Sequence, residues 1–598
     1  MDQAVLQWIA TIHQLSLGDY NRQAVIDSPL RMMRQCMSST TDEENAVRML
    51  TAFVSKRSFA WPTPGEREEI VDHRRALEVV LELSVVWAVP LWFHVHLLPA
   101  AASARLPRDR AVMLSPSTPS LFGRFTHETV SKYEDGYSTY VKFFSDSLFA
   151  FRPPSESFAT FLAVRSGVVE RQIFRELSSA VLNPLPQPRL VEIGRMPKLV
   201  RNISAKDWVR ALRFVYGKRA PDITDNDLVL ATNGGLIEAV DTIFASNTAQ
   251  DIFFHTIWWF MQGLGTTISS VLRSSVKNIP EGAYFQRLIC FYHVDTTYNV
   301  LLASINKAMH STNARLAITS RLDNIRSVVV EKLRAYSKLR SETRRALSAV
   351  VEGMSTVIWP EDDFGRPGGF EEYFGKPQIG SDGDFYAEWE WSRLQMYNRD
   401  RQAAVVIGNY VAAAEVFAFV GTAVTSYNPV RNVISISVAA LRPPYYYGEG
   451  TSAMFYGGLG FVYAAGIFRA VDMMAHLLNG GTAMAPSESA VTWSFWNASW
   501  CSDVREAAKT YPWLPALDVA YTAYLRFKDE ASDLRLRGFR GYSPTQVFFA
   551  TYCHGSCWTD TLKRKSSRKC TYTTRNFGPF KEAFSCPNNA TSRMCAYV

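Results

Sequence analysis

Tyr456-Gly457-Gly458-Leu459-Gly460-Phe461-Val462-Tyr463-Ala464-Ala465-Gly466-Ile467-Phe468-Arg469-Ala470-Val471-Asp472 reads as a glycine-rich approach followed by an apolar helix. Gly457-Gly458-Leu459-Gly460 reads as the approach to that helix, not a phosphate-cradling loop. Ala465 and Arg469 stand four residues apart, so they share one face a turn apart. Asp472 follows Arg469 by three residues and is placed to form an internal ion pair with it.

Working outward, the region before about residue 415 reads as mostly helical. Ala46–Val54, Arg67–Val85, Glu134–Leu148 and Arg321–Val351 carry apolar residues at three- and four-residue spacing. Thr319 or Ser320 is the expected N-cap of the last of these. Leu77 to Leu98 reads as helix then strand, with His94 and His96 on one strand face as satisfied polar side chains. Pro- and Gly-rich breaks at Asn183–Pro188 and Trp359–Gly383 mark loops, the latter a lobe linker. An apolar helix is expected around Gly408–Val424.

The chain has 598 residues, too many for one compact core, so two or more lobes are expected. Hydrophobic residues make up 47% and charged residues 20%, which excludes wholesale disorder. A net charge of +8 over this length is a mild bias, and Lys563-Arg564-Lys565 with Arg568-Lys569 reads as a solvated loop, so nucleic acid is not an expected partner. The chain as given starts without a signal-peptide pattern, and no window reaches the roughly 18 uninterrupted apolar residues of a membrane span. There is no G-x-S-x-G elbow and no H-x-x-x-H accompanied by an acid; His476 lies about one turn past Asp472, with no further carboxylate nearby in sequence. Six of the eight cysteines, Cys501, Cys553, Cys557, Cys570, Cys586 and Cys595, fall in the last hundred residues. Cys553, His554 and Cys557 lack the spacing of a structural zinc site. With the sequons at Asn202, Asn497 and Asn589, the cysteine cluster fits an extracellular, disulfide-bearing and glycosylated domain.

The opening stretch resembles the catalytic helix of the neprilysin and endothelin-converting-enzyme family, G-G-x-G-x-V-x-x-H-E-x-x-H-x-F-D. Further blocks agree in order and spacing. Tyr427-Asn428-Pro429-Val430-Arg431-Asn432-Val433-Ile434 and Ala439-Ala440-Leu441-Arg442-Pro443-Pro444-Tyr445 resemble the family's substrate-pairing edge strand and the loop after it. Ala516-Leu517-Asp518-Val519-Ala520-Tyr521-Thr522-Ala523-Tyr524, Ser543-Pro544-Thr545-Gln546-Val547-Phe548-Phe549 and Gly578-Pro579-Phe580 to Cys586 resemble three later landmarks. The resemblance is specific over roughly 405–598. It implies a mainly α fold with small β elements: a two-lobed, thermolysin-related (gluzincin) ectodomain around a central cavity. Residues 1–400 would form the helical lobe region and 401–598 the peptidase domain.

The resemblance also implies a chemistry that this chain has lost. Ala465 stands at the first zinc histidine, Gly466 at the base glutamate and Arg469 at the second histidine. The glutamate ligand falls on Lys509, its supporting aspartate on Trp513, and the oxyanion-stabilising histidine near Lys569. An alanine has no donor atom, and an arginine stays protonated and repels a dication. Asp472, which supports a ligand histidine in the family, is kept. The substrate-gripping Asn-Ala becomes Val424-Thr425, while Arg575 stands where an arginine contacts substrate carbonyls, with a plain structural or surface arginine as the other reading. The resemblance pairs Cys36 with Cys290 and Cys501 with Cys595. Cys557 and Cys586 match cysteines whose partners lie in a segment absent here. Two explanations stand: a truncated start, which is favoured, or re-pairing with Cys553 and Cys570.

The expected function is therefore that of a neprilysin-like metallopeptidase homologue without activity, a pseudoprotease of the extracellular space or plasma-membrane surface. No cofactor is expected where the family holds zinc. Its expected partners are peptides, acidic or with a free C-terminal carboxylate, and it could form homo-oligomers or pair with an active paralogue. The alternatives are an active zinc metalloendopeptidase with non-standard ligands, and a truncated gene product.

Overall fold

The computed structural model describes residues 2–17, 24–38, 43–57, 71–98, 111–117, 142, 144–145, 156–182, 188–217, 220–277, 282–337, 341–360, 375, 385–406, 424–429, 431–478, 512–528, 541–555 and 570–586. The fold is mainly helical with two small sheets. The chain forms two compact units that are discontinuous in sequence. One comprises residues 11–301 and 362–408, the other 1–10, 302–361 and 409–598. Segment 302–361 thus packs with the C-terminal region.

In the first unit a four-stranded sheet runs in the order β1-β2-β4-β3, where β1 is Phe93–Leu98, β2 Ala111–Pro116, β3 Arg189–Glu192 and β4 Leu228–Ala231. β2 and β4 are parallel and the other pairs antiparallel. The helix before β1, His73–Val85, starts where the Asp72 carboxylate accepts from the Arg75 amide at 2.7 Å, capping one of its open N–H groups. Helix-then-strand is the order expected over Leu77–Leu98. A helix spans Glu43–Lys56, enclosing the expected Ala46–Val54.

The core of this unit is aromatic. Phe53 packs on Trp87 at 4.8 Å and on Phe260 at 5.2 Å, and Trp87 stacks on Trp389 at 5.6 Å. Trp389 brings in the helix Phe385–Val406. The guanidinium of Arg57 covers Phe53 and Trp87, at 3.7 and 4.2 Å from their ring centres, so its charge sits on ring faces and not on bare hydrocarbon. A disulfide joins Cys36 to Cys290, the pairing that the family resemblance implied.

The second unit contains a three-stranded sheet of order β5-β7-β6, with β5 Ser355–Val357, β6 Thr425–Asn428 and β7 Val433–Ile436. β6 is an edge strand, antiparallel to β7. Between them Asn432 adopts φ of 55°, a left-handed conformation that asparagine tolerates better than most residues. Its side chain donates to the Val350 carbonyl at 2.8 Å and accepts from the Tyr427 hydroxyl at 2.8 Å. The helical region expected at Arg321–Val351 is two helices, Thr312–Ala335 and Ser341–Glu352. The first starts earlier than expected. Its N-cap is Ser311, whose hydroxyl accepts from the Ala314 amide, while Thr319 lies inside the helix and donates to the Arg315 carbonyl. Polar residues at the positions expected to cap it are thus tolerated on an exposed face.

The remaining sequence expectations at Glu134–Leu148, Asn183–Pro188, Trp359–Gly383 and Gly408–Val424 fall largely outside the described residues.

Candidate functional site

The stretch Tyr456–Asp472 is helical throughout. A short helix, Ser452–Phe455, passes into one wide π-helical turn at Tyr456–Gly460 and then the α-helix Phe461–Leu478. Residues 452–475 are apolar enough to cross a membrane, but 83% of that window is buried inside the protein, as expected of a core helix. The glycines are required by close approach. A Cβ on Gly457 would lie 2.3 Å from the Phe548 carbonyl oxygen, and one on Gly458 2.2 Å from that of Tyr445. Tyr445 in turn accepts a hydrogen bond from the Leu459 amide at 2.8 Å. Aromatic packing fixes the outer side of the helix. Phe461 contacts Tyr552 at 4.5 Å, and Tyr456 contacts Tyr524 at 6.3 Å.

The inner side lies on the three-stranded sheet. The Tyr463 and Thr356 hydroxyls share a hydrogen bond of 2.6 Å, tying the helix to β5. Burial pushes the Tyr463 phenol up to about 12 despite that bond. At Gly466 the helix touches β6 directly. A Cβ there would lie 2.4 Å from Thr425 Oγ1, 2.9 Å from Thr425 Cβ and 3.0 Å from Ile434 Cδ1. The space into which a side chain at 466 would grow belongs to Thr425. The two positions that the sequence singled out separately, Gly466 and Thr425, are therefore one contact.

Arg469 is half-buried, and its guanidinium carbon lies 5.2 Å from the centre of the Trp513 ring. Trp513 opens the helix Trp513–Phe527, and its ring also meets Phe461 at 5.8 Å. Two positions that the sequence singled out in separate segments thus form a cation–π pair. Ala465 and Asp472 are buried on the same helix. Val424 and Thr425 are buried at the start of β6, and the Val424 carbonyl accepts from the Ser437 amide at 3.0 Å. Arg575 is exposed. Lys509, Lys569, Cys501, Cys557, Cys595, Asn497 and Asn589 lie outside the described residues, as does the side chain of His476.

These residues do not fit a zinc ion. The frame that would supply two imidazoles and a carboxylate presents a methyl group, a hydrogen atom and a guanidinium. Among the described residues no group of three or more His, Cys, Asp or Glu is arranged to hold a metal. His94 and His96 stack at 5.9 Å on β1, and burial, with a smaller contribution from His96, lowers His94 to about 3.

The C-terminal cysteines correct one sequence alternative. Cys553 and Cys570 are bonded to each other, so neither re-pairs with Cys557 or Cys586, and Cys586 is a free thiol. The bond links the end of the helix Pro544–Gly555 to the start of the segment 570–586. At the Asn202 sequon, the side-chain amide donates to the Phe244 carbonyl at 2.6 Å and Ser204 caps the helix Ala205–Tyr216.

No family model and no curated protein sequence matches the chain. Solved structures do. The chain superposes on PepO of Lactobacillus rhamnosis with a TM-score of 0.59 at 13% identity, covering 100% of this chain and 94% of that one. For the inhibitor-bound zinc metalloprotease Zmp1 of Mycobacterium tuberculosis the TM-score is 0.56 at 14% identity, covering 98% and 90%. A Haemonchus galactose-containing glycoprotein complex gives 0.58 at 16%, covering 98% and 90%. The fold is neprilysin-like. At these identities the likeness concerns the backbone path.

The sequence frame singled out positions on the helix but missed their packing partners. Thr356 and Ile434 carry no catalytic pattern, and only paired substitution with positions 463 and 466 across relatives could have exposed them.

Proposed function

We propose that this chain is a neprilysin-like metallopeptidase homologue without peptidase activity, which acts outside the cell by binding peptides or partner proteins. The observation that carries the reading is the contact of Gly466 with Thr425. A base carboxylate at position 466 has no room to stand. Arg469 against Trp513 supports it, because a cation fixed on a ring face occupies the turn where the second imidazole would project. Without a metal-activated water the nucleophile itself is missing, a larger loss than the ~10²–10⁴-fold contributed by one acid–base group. The disulfides Cys36–Cys290 and Cys553–Cys570 support an oxidising compartment. The Arg469 guanidinium favours an acidic peptide or a free C-terminal carboxylate as ligand.

The test is elemental analysis of the full chain from an oxidising host, with a fluorogenic peptide assay on the same sample. Zinc far below one equivalent and no chelator-sensitive cleavage are expected. Stoichiometric zinc with cleavage abolished by chelator would overturn the reading. Binding of a fluorescent acidic peptide should weaken on Arg469→Glu; unchanged binding would remove Arg469 from the ligand contact.

A further inference from the structure

Where the helix Thr312–Ala335 gives way to Ser341–Glu352, a cleft of about 230 Å³ is lined by Arg334, Ser341, Arg344, Arg345, Ser348 and Glu352. On the second helix, Ser341, Arg344, Arg345 and Ser348 stand at i, i+3, i+4 and i+7, the spacing that puts side chains on one face. Arg334 comes from the last turn of the first helix and pairs with Glu352. Arg344 Nη1 reaches the Arg334 carbonyl at 3.5 Å. Three guanidinium groups against one carboxylate give the cleft a net charge of +2, and the Glu352 carboxylate is engaged by Arg334. Of the lining residues, Ser348 is only 3% exposed, and its hydroxyl has no hydrogen-bond partner. A buried hydroxyl left unpaired is unfavourable and calls for an acceptor.

We propose that this cleft binds a tetrahedral oxyanion of charge near −2, the phosphate group of a small phosphomonoester or inorganic phosphate. Guanidinium forks match phosphate oxygens in pairs, and a phosphate carries close to two negative charges at neutral pH. Its several acceptor oxygens can use the Ser341 and Ser348 hydroxyls together with Arg344 and Arg345. A monocarboxylate has one charge and two oxygens, and leaves part of this donor set unused. The site belongs to the same compact unit as Tyr456–Asp472 but does not depend on peptide binding.

The experiment is calorimetric titration of the full chain with inorganic phosphate, phosphoserine and acetate, at ionic strength held constant with chloride so that general screening is equal. Saturable binding of phosphate or phosphoserine is expected, with acetate about tenfold weaker or worse. Tighter phosphoserine binding would assign a monoester; tighter phosphate binding would assign the free ion. The double variant Arg344→Gln/Arg345→Gln should weaken binding about tenfold or more, and Ser348→Ala several-fold. Arg345 is exposed, so Arg345→Gln alone decides if the double variant unfolds at lower temperature. Absence of saturable heat with both phosphate ligands, equal binding of acetate, or unchanged binding in Ser348→Ala and Arg345→Gln would each overturn the proposal.

Discussion

Gly466 carries two opposing effects whose magnitudes decide the outcome of changing it. In an open helix, glycine to alanine gains about 1 kcal/mol. Here the new methyl group would stand 2.4 Å from Thr425 Oγ1 and 2.9 Å from Thr425 Cβ, and the latter is fixed to a paired strand and cannot rotate away. Overpacking of this kind costs about 1–3 kcal/mol. Gly466→Ala should therefore lower the thermal midpoint, and Gly466→Glu should lower it further without restoring zinc binding. A rise in melting temperature for Gly466→Ala would show that helix and strand separate easily. The Arg469–Trp513 pair is measurable by a double-mutant cycle with Arg469→Met and Trp513→Leu. Denaturant melts should give a coupling of about 0.5–1 kcal/mol; additivity would mean the ring and the guanidinium are adjacent without interacting.

Among the elements, β1 carries the clearest pH signal. His94 titrates near 6.5 when unfolded but is held to about 3 in the fold, chiefly by burial. The folded state thus keeps the neutral ring while the unfolded chain takes up a proton. Its contribution to stability is complete above pH 6.5 and is lost as pH falls from 6.5 towards 3. Unfolding midpoints of His94→Gln should fall less steeply than wild type over that window. Parallel curves would show that His94 does not drive the acid limb. The helices illustrate how far periodicity reaches. Apolar spacing found the helical character of Arg321–Val351, but spacing alone cannot choose between serines and threonines as caps. Ser311 is selected because its hydroxyl meets the Ala314 amide, while Thr319 satisfies its own hydroxyl on the Arg315 carbonyl.

For the molecule as a whole, the disulfide Cys36–Cys290 closes a loop with a sequence separation of 254. Constraint of the unfolded chain by a loop of that size is worth about 5 kcal/mol. Reduction, or Cys36→Ser with Cys290→Ser, should shift the denaturant midpoint of the unit 11–301 and 362–408 sharply downward. An unchanged midpoint in reductant would show that this unit's aromatic core holds without the bridge. The two compact units also show what a linear reading misses: residues 302–361 contribute β5 to a sheet completed by strands at 425–428 and 433–436. A boundary drawn along the chain cannot show such a return.

The sequence by itself determined the neprilysin-like fold, through the order and spacing of Tyr456–Asp472 and the later blocks, because glycines at backbone contacts and apolar faces leave a pattern in the chain. It also shows that Ala465, Gly466 and Arg469 offer no metal-donor atoms, which is read directly from side-chain chemistry. Only the tertiary structure decided what packs against these positions. That Thr425 stands against Gly466, and Arg469 over Trp513, depends on segments more than forty residues apart in the chain. Cys553 bonding to Cys570 was decided in the same way, because pairing follows distance in space, which cysteine spacing along the chain does not encode.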